Sequence, residues 1–108
     1  MNDYPTSPVT NINFINHLIQ IIRDRKAQRD EPDAAQASYT VQLFQKGINK
    51  IAQKVGEEAV ELVIEAKDSD DERFKNEAAD LIYHLLVLLE QKEIGLDEVI
   101  SVLEERHR

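Results

Sequence analysis

The sequence predicts an all-α protein, and three observations lead to this prediction. Only three glycines and three prolines occur in 108 residues, and 31% of the residues are charged, a composition that is typical of helices. Apolar residues recur at spacings of three and four, the period of an amphipathic helix. No segment alternates polar and apolar residues over the length that a strand needs. The length corresponds to about one domain.

The N-terminal part of the chain divides into a tail, a helix and a loop. Residues 1–11 carry two prolines and no period, so we expect a flexible tail ahead of a domain that covers residues 12–108. A first helix is predicted over about residues 13–29, because its apolar residues keep the helical spacing. The segment 30–37, which contains Pro32, is predicted to be a loop.

Two helices are predicted to follow this loop. Ser38 is a suitable N-cap, because its hydroxyl can accept a hydrogen bond from a backbone N–H in the first turn. Gly47 is expected to break or kink the helix that Ser38 starts. A long helix then covers about residues 48–67.

A third long helix is predicted over about residues 71–92, and Gly95 marks a turn before a final helix. The broad apolar face of the third long helix consists of Phe74, Ala78, Leu81, Ile82, Leu85, Leu88 and Leu89. A chain of this size buries only a modest core. We therefore expect a helical hairpin whose four-helix-bundle-like core is completed by homodimerisation.

Composition excludes several classes of function. Thirteen basic against 21 acidic residues give a net charge of -8, which argues against a nucleic-acid partner. The sequence has no cysteine, so thiolate metal sites and disulfides are excluded. The N-terminus lacks a secretory signal pattern and the apolar runs are too short to span a bilayer. We therefore expect a cytoplasmic protein without a membrane partner.

Acidic side chains follow one edge of the apolar face of the second long helix, over about residues 48–67. With about 100° of rotation per residue, an arc of roughly 100° contains Lys50, Lys54, Glu57, Glu58, Glu61 and Glu65. Carboxylates four residues apart repel each other by a few tenths of a kcal/mol. A divalent cation would offset this repulsion, because hard cations bind clustered carboxylate oxygens.

The third long helix carries a second acidic pair, Glu77 and Asp80, three residues apart. An antiparallel hairpin would bring this pair opposite Glu58 and Glu61. Four inward-facing carboxylates would make a Mg²⁺ site, with Mn²⁺ as a possible substitute. Glu57, at the edge of the same arc, is interpreted as a metal ligand, a group that supports a ligand, or a surface charge.

Three further side chains near these acids have two interpretations each. His84, one turn after Asp80, is interpreted as a structural histidine hydrogen-bonded to a carboxylate, with a substrate or acid–base role as the alternative. Lys54 and Lys50 precede the acidic pair by one and two turns, respectively, where an ammonium would meet phosphate oxygens. An ordinary salt bridge between Lys54 and Glu58 explains Lys54 equally well.

At this point the residues resemble a known family. The two acidic pairs resemble the signature of the all-α nucleoside triphosphate pyrophosphohydrolase superfamily, which includes the MazG-type enzymes and dimeric dUTPases. The surrounding segments are similar to those of the phosphoribosyl-ATP pyrophosphatases of histidine biosynthesis, over about residues 12–107. These segments are Ser38-Tyr39-Thr40-x-x-Leu43-Phe44, Lys54-Val55-Gly56-Glu57-Glu58-Ala59-Val60-Glu61 and Glu77-Ala78-Ala79-Asp80-Leu81-Ile82-Tyr83-His84.

The resemblance implies Mg²⁺-dependent hydrolysis of phosphoribosyl-ATP to phosphoribosyl-AMP and pyrophosphate by a homodimer. The metal-binding positions that it implies are Glu58, Glu61, Glu77 and Asp80. Glu57 or Glu61 would orient or deprotonate the attacking water. The substrate-binding candidates are Lys50, Lys54, Arg73, Ser38, Tyr39, Thr40 and His84, although Ser38 is an equally good N-cap.

Two rival functions remain open at the level of sequence. The first is a housecleaning pyrophosphatase of the same superfamily that acts on non-standard nucleoside triphosphates. The second is a non-catalytic acidic helical module that binds another protein. The second rival predicts that Mg²⁺ does not raise the melting temperature, whereas a cation that binds only the folded state must raise it.

Overall fold

The computed structural model describes residues 13–108, and this part of the chain is all-α, as the sequence predicts. The predicted tail of residues 1–11 lies outside the described residues. None of the described helices has the length and apolar character needed to cross a bilayer. The helices are α1 (Phe14–Ala27), α2 (Ala34–Ala37), α3 (Tyr39–Lys46), α4 (Ile48–Ala66), α5 (Asp71–Gln91) and α6 (Leu96–Arg106).

The two longest helices, α4 and α5, form an antiparallel hairpin with the most extensive contact between any two described elements. A short turn over residues 67–70 joins them. Asp70 caps α5, because its side-chain oxygen accepts the Arg73 backbone N–H at 3.2 Å. The hairpin sets the acidic faces of α4 and α5 against each other and so positions the candidate site.

Helix α3 packs beside this hairpin and begins and ends where the sequence predicts. The Ser38 hydroxyl accepts the Val41 backbone N–H at 3.2 Å, which confirms Ser38 as an N-cap. Gly47 separates α3 from α4 with φ 91° and ψ -176°. That backbone conformation is essentially restricted to glycine, so the break between the helices depends on this residue.

The hydrophobic core lies between α1, α3 and the hairpin. It consists of Ile22, Leu43, Phe44, Ile51, Leu86 and Val87. Partly buried apolar side chains from α1 and α5 surround it. Leu43 and Phe44 place the second half of α3 in this core, which packs α3 against the hairpin.

The prediction of a loop over residues 30–37 is wrong in its second half, where α2 forms. Asp33 adopts a left-handed conformation with φ 60°, and the Gln36 backbone N–H binds its carbonyl oxygen at 3.1 Å. The four residues that follow Asp33 are alanines and one glutamine, which favour a helix once the chain has turned. Helix α1 also ends at Ala27, earlier than expected.

The predicted apolar face of α5 is only partly buried. Ile82 and Leu85, which were expected on the core side, are 48% and 40% exposed, whereas Leu86 and Val87 are buried. The second half of α5 is apolar on nearly all sides. Helical periodicity cannot identify the inward face of such a helix.

Candidate functional site

Three carboxylates converge where α4 and α5 face each other. One oxygen each of Glu58, Glu77 and Asp80 lies within 4.8 Å of the others. The spacing of three on α5 puts Glu77 and Asp80 on one face of that helix. Glu58 is buried and Asp80 is exposed, so the cluster extends from the hairpin interior to solvent.

Glu77 lies between the other acidic side chains of this cluster. Burial of its carboxyl group, together with hydrogen bonds to Glu61 and Glu58 and their negative charge, raises the pKa of Glu77 to about 7. Its Oε2 atom is buried and has no hydrogen-bond partner among the described residues. A proton or a cation on this oxygen would relieve both the repulsion and the missing partner.

The two carboxylates of α4 with predicted catalytic roles flank the cluster. Glu61 is exposed and lies beside Glu77, but it is not one of the three oxygens that converge. Glu57 accepts a hydrogen bond from Gln53 at 3.4 Å and lies 3.9 Å from the Lys54 ammonium. The structure therefore brings three of the four predicted metal ligands together, with Glu61 adjacent.

Lys54 lies at the rim of the cluster and forms the salt bridge with Glu58 that the sequence predicts as one of its two interpretations. Its ammonium is 3.5 Å from Glu58 and 3.9 Å from Glu57. Burial lowers the pKa of Lys54, but Tyr39, Glu57 and Glu58 outweigh burial and raise the pKa above its ordinary value. The ammonium is therefore firmly charged. Lys50 lies one turn earlier on α4 and is half-buried.

The predicted substrate-binding residues at the start of α3 each have a partner within the chain. The Ser38 hydroxyl caps α3, and the Thr40 hydroxyl is hydrogen-bonded to the Tyr83 hydroxyl. The Tyr39 hydroxyl lies 3.0 Å from His84 Nε2, while 48% of Tyr39 remains exposed. Two side-chain hydrogen bonds therefore tie the start of α3 to α5.

His84 is only 5% exposed, and both ring nitrogens are engaged. Nδ1 lies 2.8 Å from the backbone carbonyl oxygen of Asp80. The expectation of a carboxylate partner is therefore wrong. A histidine ring on a helix reaches the carbonyl four residues earlier, which was a nearer acceptor than any side chain.

Arg73 pairs with Glu65 rather than with the cluster. Its Nη2 atom lies 3.0 Å from Glu65 Oε1. Glu65 is 8% exposed, and its Oε2 atom is buried without a hydrogen-bond partner among the described residues. Sequence reasoning missed this pair, although Glu65 follows Glu58 by two helical turns and therefore shares its face.

Comparison with known proteins identifies the family. A family model described as "Phosphoribosyl-ATP pyrophosphohydrolase" matches residues 15–107. The chain is 53% identical over 95 residues to the histidine biosynthesis bifunctional protein HisIE of Halalkalibacterium halodurans, a match that covers 88% of this chain and 43% of that protein. It is 47% identical over 94 residues to the phosphoribosyl-ATP pyrophosphatase of Clostridium botulinum, with 87% of this chain and 81% of that protein covered.

The relatives differ in length. The chain spans less than half of the bifunctional proteins, including that of Bacillus subtilis, which is 48% identical over 94 residues and of which it covers 43%. It spans most of the shorter Clostridium botulinum protein. The match of the family model includes α1 to α6 almost entirely and every residue of the acidic site. The chain therefore belongs to the phosphoribosyl-ATP pyrophosphohydrolase family.

Proposed function

We propose that this chain hydrolyses phosphoribosyl-ATP to phosphoribosyl-AMP and pyrophosphate, the second step of histidine biosynthesis, with Mg²⁺ bound by Glu58, Glu61, Glu77 and Asp80. The observation that carries the proposal is the convergence of three carboxylates within 4.8 Å in a chain of this family. The names of relatives that match nearly the whole described chain support the same substrate.

The donor set fits a hard divalent cation. All of its ligand atoms are carboxylate oxygens, which Mg²⁺ prefers and Mn²⁺ accepts. The buried Oε2 of Glu77 has no hydrogen-bond partner among the described residues, as expected for an atom that binds a cation. When bound, Mg²⁺ would neutralise charge on the phosphate oxygens around the scissile α/β linkage.

Other side chains are proposed to activate the attacking water and to bind the phosphates. Glu57 or Glu61 would orient or deprotonate the attacking water, because both carboxylates flank the cluster. Lys54, with Lys50 one turn away, would bind phosphate oxygens through charge-assisted hydrogen bonds. Arg73, which pairs with Glu65, is proposed to help Lys54 to bind the polyphosphate.

At the start of α3, the proposal concerns contact with the substrate. Ser38, Tyr39 and Thr40 stay candidates for substrate contact, although each hydroxyl has a partner within the chain. Of the three, Tyr39 is exposed, so its ring is the part best placed to touch the substrate. His84 is buried behind it and would act indirectly.

We also propose that the chain acts in the cytoplasm as a homodimer and that its domain covers residues 12–108. Apolar side chains on the outer surface of α4 remain exposed in the single chain, among them Val60, Val63 and Ile64, which supports a second copy as partner. The net charge of -8 favours a small-molecule substrate bound through a cation over a nucleic acid.

Release of pyrophosphate from phosphoribosyl-ATP, with Mg²⁺ or with EDTA, tests the function. We expect turnover only with Mg²⁺. Asp80→Asn should lower kcat/KM by about 100-fold or more, because it removes a charged ligand. Glu72→Gln is the matched control, because Glu72 is an exposed acid on the same helix, paired with Lys75 at 3.2 Å.

A panel of nucleoside triphosphates in the same assay separates the rival functions. Higher kcat/KM on non-standard nucleotides than on phosphoribosyl-ATP would establish the housecleaning function instead. Mg²⁺ should also raise the melting temperature of the wild type but not of Asp80→Asn. If no nucleotide were hydrolysed and Mg²⁺ left the melting temperature unchanged, the non-catalytic module would replace the enzyme.

A further inference from the structure

Tyr39 presents an accessible aromatic ring beside the carboxylate cluster. The residue is 48% exposed, although its ring lies against two aromatic residues of α5. The ring centroid is 5.8 Å from that of His84, with the two planes at 84°, and 6.3 Å from that of Tyr83, with the planes at 31°. The ring is therefore supported by α5 and can be reached from solvent.

Hydrogen bonds fix the orientation of this ring. The Tyr39 hydroxyl is hydrogen-bonded to Nε2 of His84 at 3.0 Å, and Nδ1 of the same buried imidazole lies 2.8 Å from the Asp80 carbonyl oxygen. The Thr40 and Tyr83 hydroxyls are hydrogen-bonded to each other, which ties the same turn of α3 to α5. An exposed ring that is held in one orientation binds a flat ligand with little loss of conformational entropy.

The Tyr39 ring also lies within a short distance of the proposed phosphate site. Asp80 belongs to the carboxylate cluster, and a single imidazole ring with its two hydrogen bonds separates the Tyr39 hydroxyl from the Asp80 backbone. In a nucleotide, one ribose separates the base from the α-phosphate. A substrate whose α/β linkage lies at the cluster would therefore have its base within reach of the Tyr39 ring.

The base of the proposed substrate differs in charge from that of ATP. In phosphoribosyl-ATP the second ribose is attached to N1 of adenine, and an adenine substituted at N1 holds a proton and a positive charge at neutral pH. The adenine of ATP is neutral at that pH. A neutral base only stacks on an aromatic side chain, whereas a cation is also attracted electrostatically to the face of the ring. A tyrosine ring can therefore distinguish the two bases.

We propose that the Tyr39 ring is the stacking surface for the N1-substituted, cationic adenine of the substrate and that it selects this base over the neutral adenine of ATP. The inference rests on the proposed function, in which phosphoribosyl-ATP is the substrate. Tyr39 is then a specificity-determining residue that touches the base. Its hydroxyl anchors the ring to His84 and does not bind the substrate.

Three analogues of ATP with a methylene group between the α- and β-phosphates test this selectivity, because they resist cleavage at that linkage. The first carries adenine, the second carries cationic 1-methyladenine, and the third carries the neutral isomer N6-methyladenine. Isothermal titration calorimetry at neutral pH with Mg²⁺ gives the Kd of each. The wild type should bind the 1-methyl analogue about ten-fold more tightly than the other two. Equal affinities, or no binding of any analogue, would overturn the proposal.

Two substitutions of Tyr39 separate the ring from the hydroxyl. Tyr39→Leu removes the ring and keeps an apolar side chain, so the preference for the 1-methyl analogue should disappear. Tyr39→Phe loses only the hydrogen bond to His84 and should keep most of the preference. A preference that survives in Tyr39→Leu would assign the selection to the neighbouring carboxylates and would overturn the role of Tyr39.

Fluorination of the ring tests the same role without a change of shape. A protein with 3,4,5-trifluorophenylalanine in place of Tyr39 keeps an aromatic ring, but the fluorines withdraw electron density from its face. The preference for the 1-methyl analogue should therefore fall below that of Tyr39→Phe. An unchanged preference would overturn the proposal, and this comparison still decides if Tyr39→Leu does not fold.

Phe14→Leu is the matched control, because it also replaces an exposed aromatic ring by leucine, on α1. The Kd of each analogue should change less than about two-fold, since a surface substitution away from the site has little effect. A loss of preference as large as that of Tyr39→Leu would show that removal of any exposed ring has this effect. That result would contradict the role of Tyr39.

Turnover distinguishes failure of this role from failure of the proposed function. Tyr39→Leu should raise KM for phosphoribosyl-ATP about ten-fold and lower kcat much less, because the ring binds the base and not the scissile linkage. A loss confined to kcat would overturn the role of Tyr39. If the wild type does not cleave phosphoribosyl-ATP, the proposed function fails, while the three affinities still test Tyr39. Cleavage without a preference for the 1-methyl analogue would reject the role of Tyr39 alone.

Discussion

Glu77 is the residue on which the chemistry of the acidic cluster depends most. Its neighbours Glu58 and Glu61 lie on the facing helix, so the hairpin itself forces three negative charges together. Without a cation, a proton on Glu77 is the simplest way to reduce the repulsion between these carboxylates. If Mg²⁺ binds as proposed, proton and metal compete for the same carboxyl group, and both binding events are linked to pH.

In metal-free protein, Glu77 should make stability fall as pH rises. Its pKa is about 7 in the folded state against an ordinary 4.5, so between these values the folded state binds more protons than the unfolded state. The free energy of unfolding then decreases between about pH 4.5 and 7. Glu77→Gln should lack this component. We expect its melting temperature in EDTA to gain on that of the wild type across this range.

Glu72→Gln is the control for this pH series, because it removes an exposed carboxylate of α5 without altering the cluster. Its melting temperature should run parallel to that of the wild type from pH 4.5 to 8. Parallel curves for Glu77→Gln as well would contradict the assignment of the raised pKa to Glu77.

The α4–α5 hairpin is also held by an ion pair near its turn. The Arg73 guanidinium lies 3.0 Å from Glu65 Oε1, and the Glu65 carboxylate is buried. A buried carboxylate that loses its only cationic partner keeps its desolvation penalty. This pair connects the start of α5 to the end of α4, beyond the acidic cluster.

Arg73→Ala should therefore destabilise the protein by about 1–3 kcal/mol, because it leaves Glu65 without its charged partner. Lys75→Ala removes an ion pair with Glu72 whose side chains are 69% and 81% exposed, and it should change stability by less than about 0.5 kcal/mol. Urea unfolding at one protein concentration measures both. Equal effects would show that Glu65 is as well solvated as Glu72.

Most helices of the chain could be predicted from spacing and caps alone. Ser38 and Gly47 mark the ends of α3 by local chemistry, and the acidic pairs of α4 and α5 share a face by helical geometry alone. The position of Glu65 in the hairpin could not be predicted. Its burial depends on how far α4 rotates against α5, and this rotation is set by packing of the whole core.

The face of α5 that packs against the core could not be predicted from the sequence either. Ile82 and Leu85 fit the helical period as well as Leu86 and Val87 do, yet only the latter two are buried. The partners of His84 also required the fold, because Tyr39 lies 45 residues away in the chain. Local patterns predict elements, whereas long-range packing decides which side chains meet.

At the scale of the whole molecule, a single chain leaves much apolar surface uncovered. A groove along the outer surface of α4 is lined by Gln53, Gly56, Glu57, Val60, Glu61 and Ile64. Val60 and Ile64 are 60% and 59% exposed. No apolar side chain of α6 is buried in the described chain either. Surfaces of this kind mark contacts between proteins.

We expect the proposed homodimer to use the groove on α4, and we expect the double variant Val60→Arg and Ile64→Arg to dissociate it. Two guanidinium groups buried against an apolar surface without partners would carry a large desolvation cost. Sedimentation equilibrium should give twice the 12.4 kDa chain mass for the wild type and a single chain mass for the variant. Phe14→Arg, at an exposed apolar residue of α1, should remain dimeric. A monomeric wild type, or a dimeric double variant, would contradict this interface.

Because Glu57 and Glu61 line the same groove, the dissociated variant should also hydrolyse phosphoribosyl-ATP more slowly.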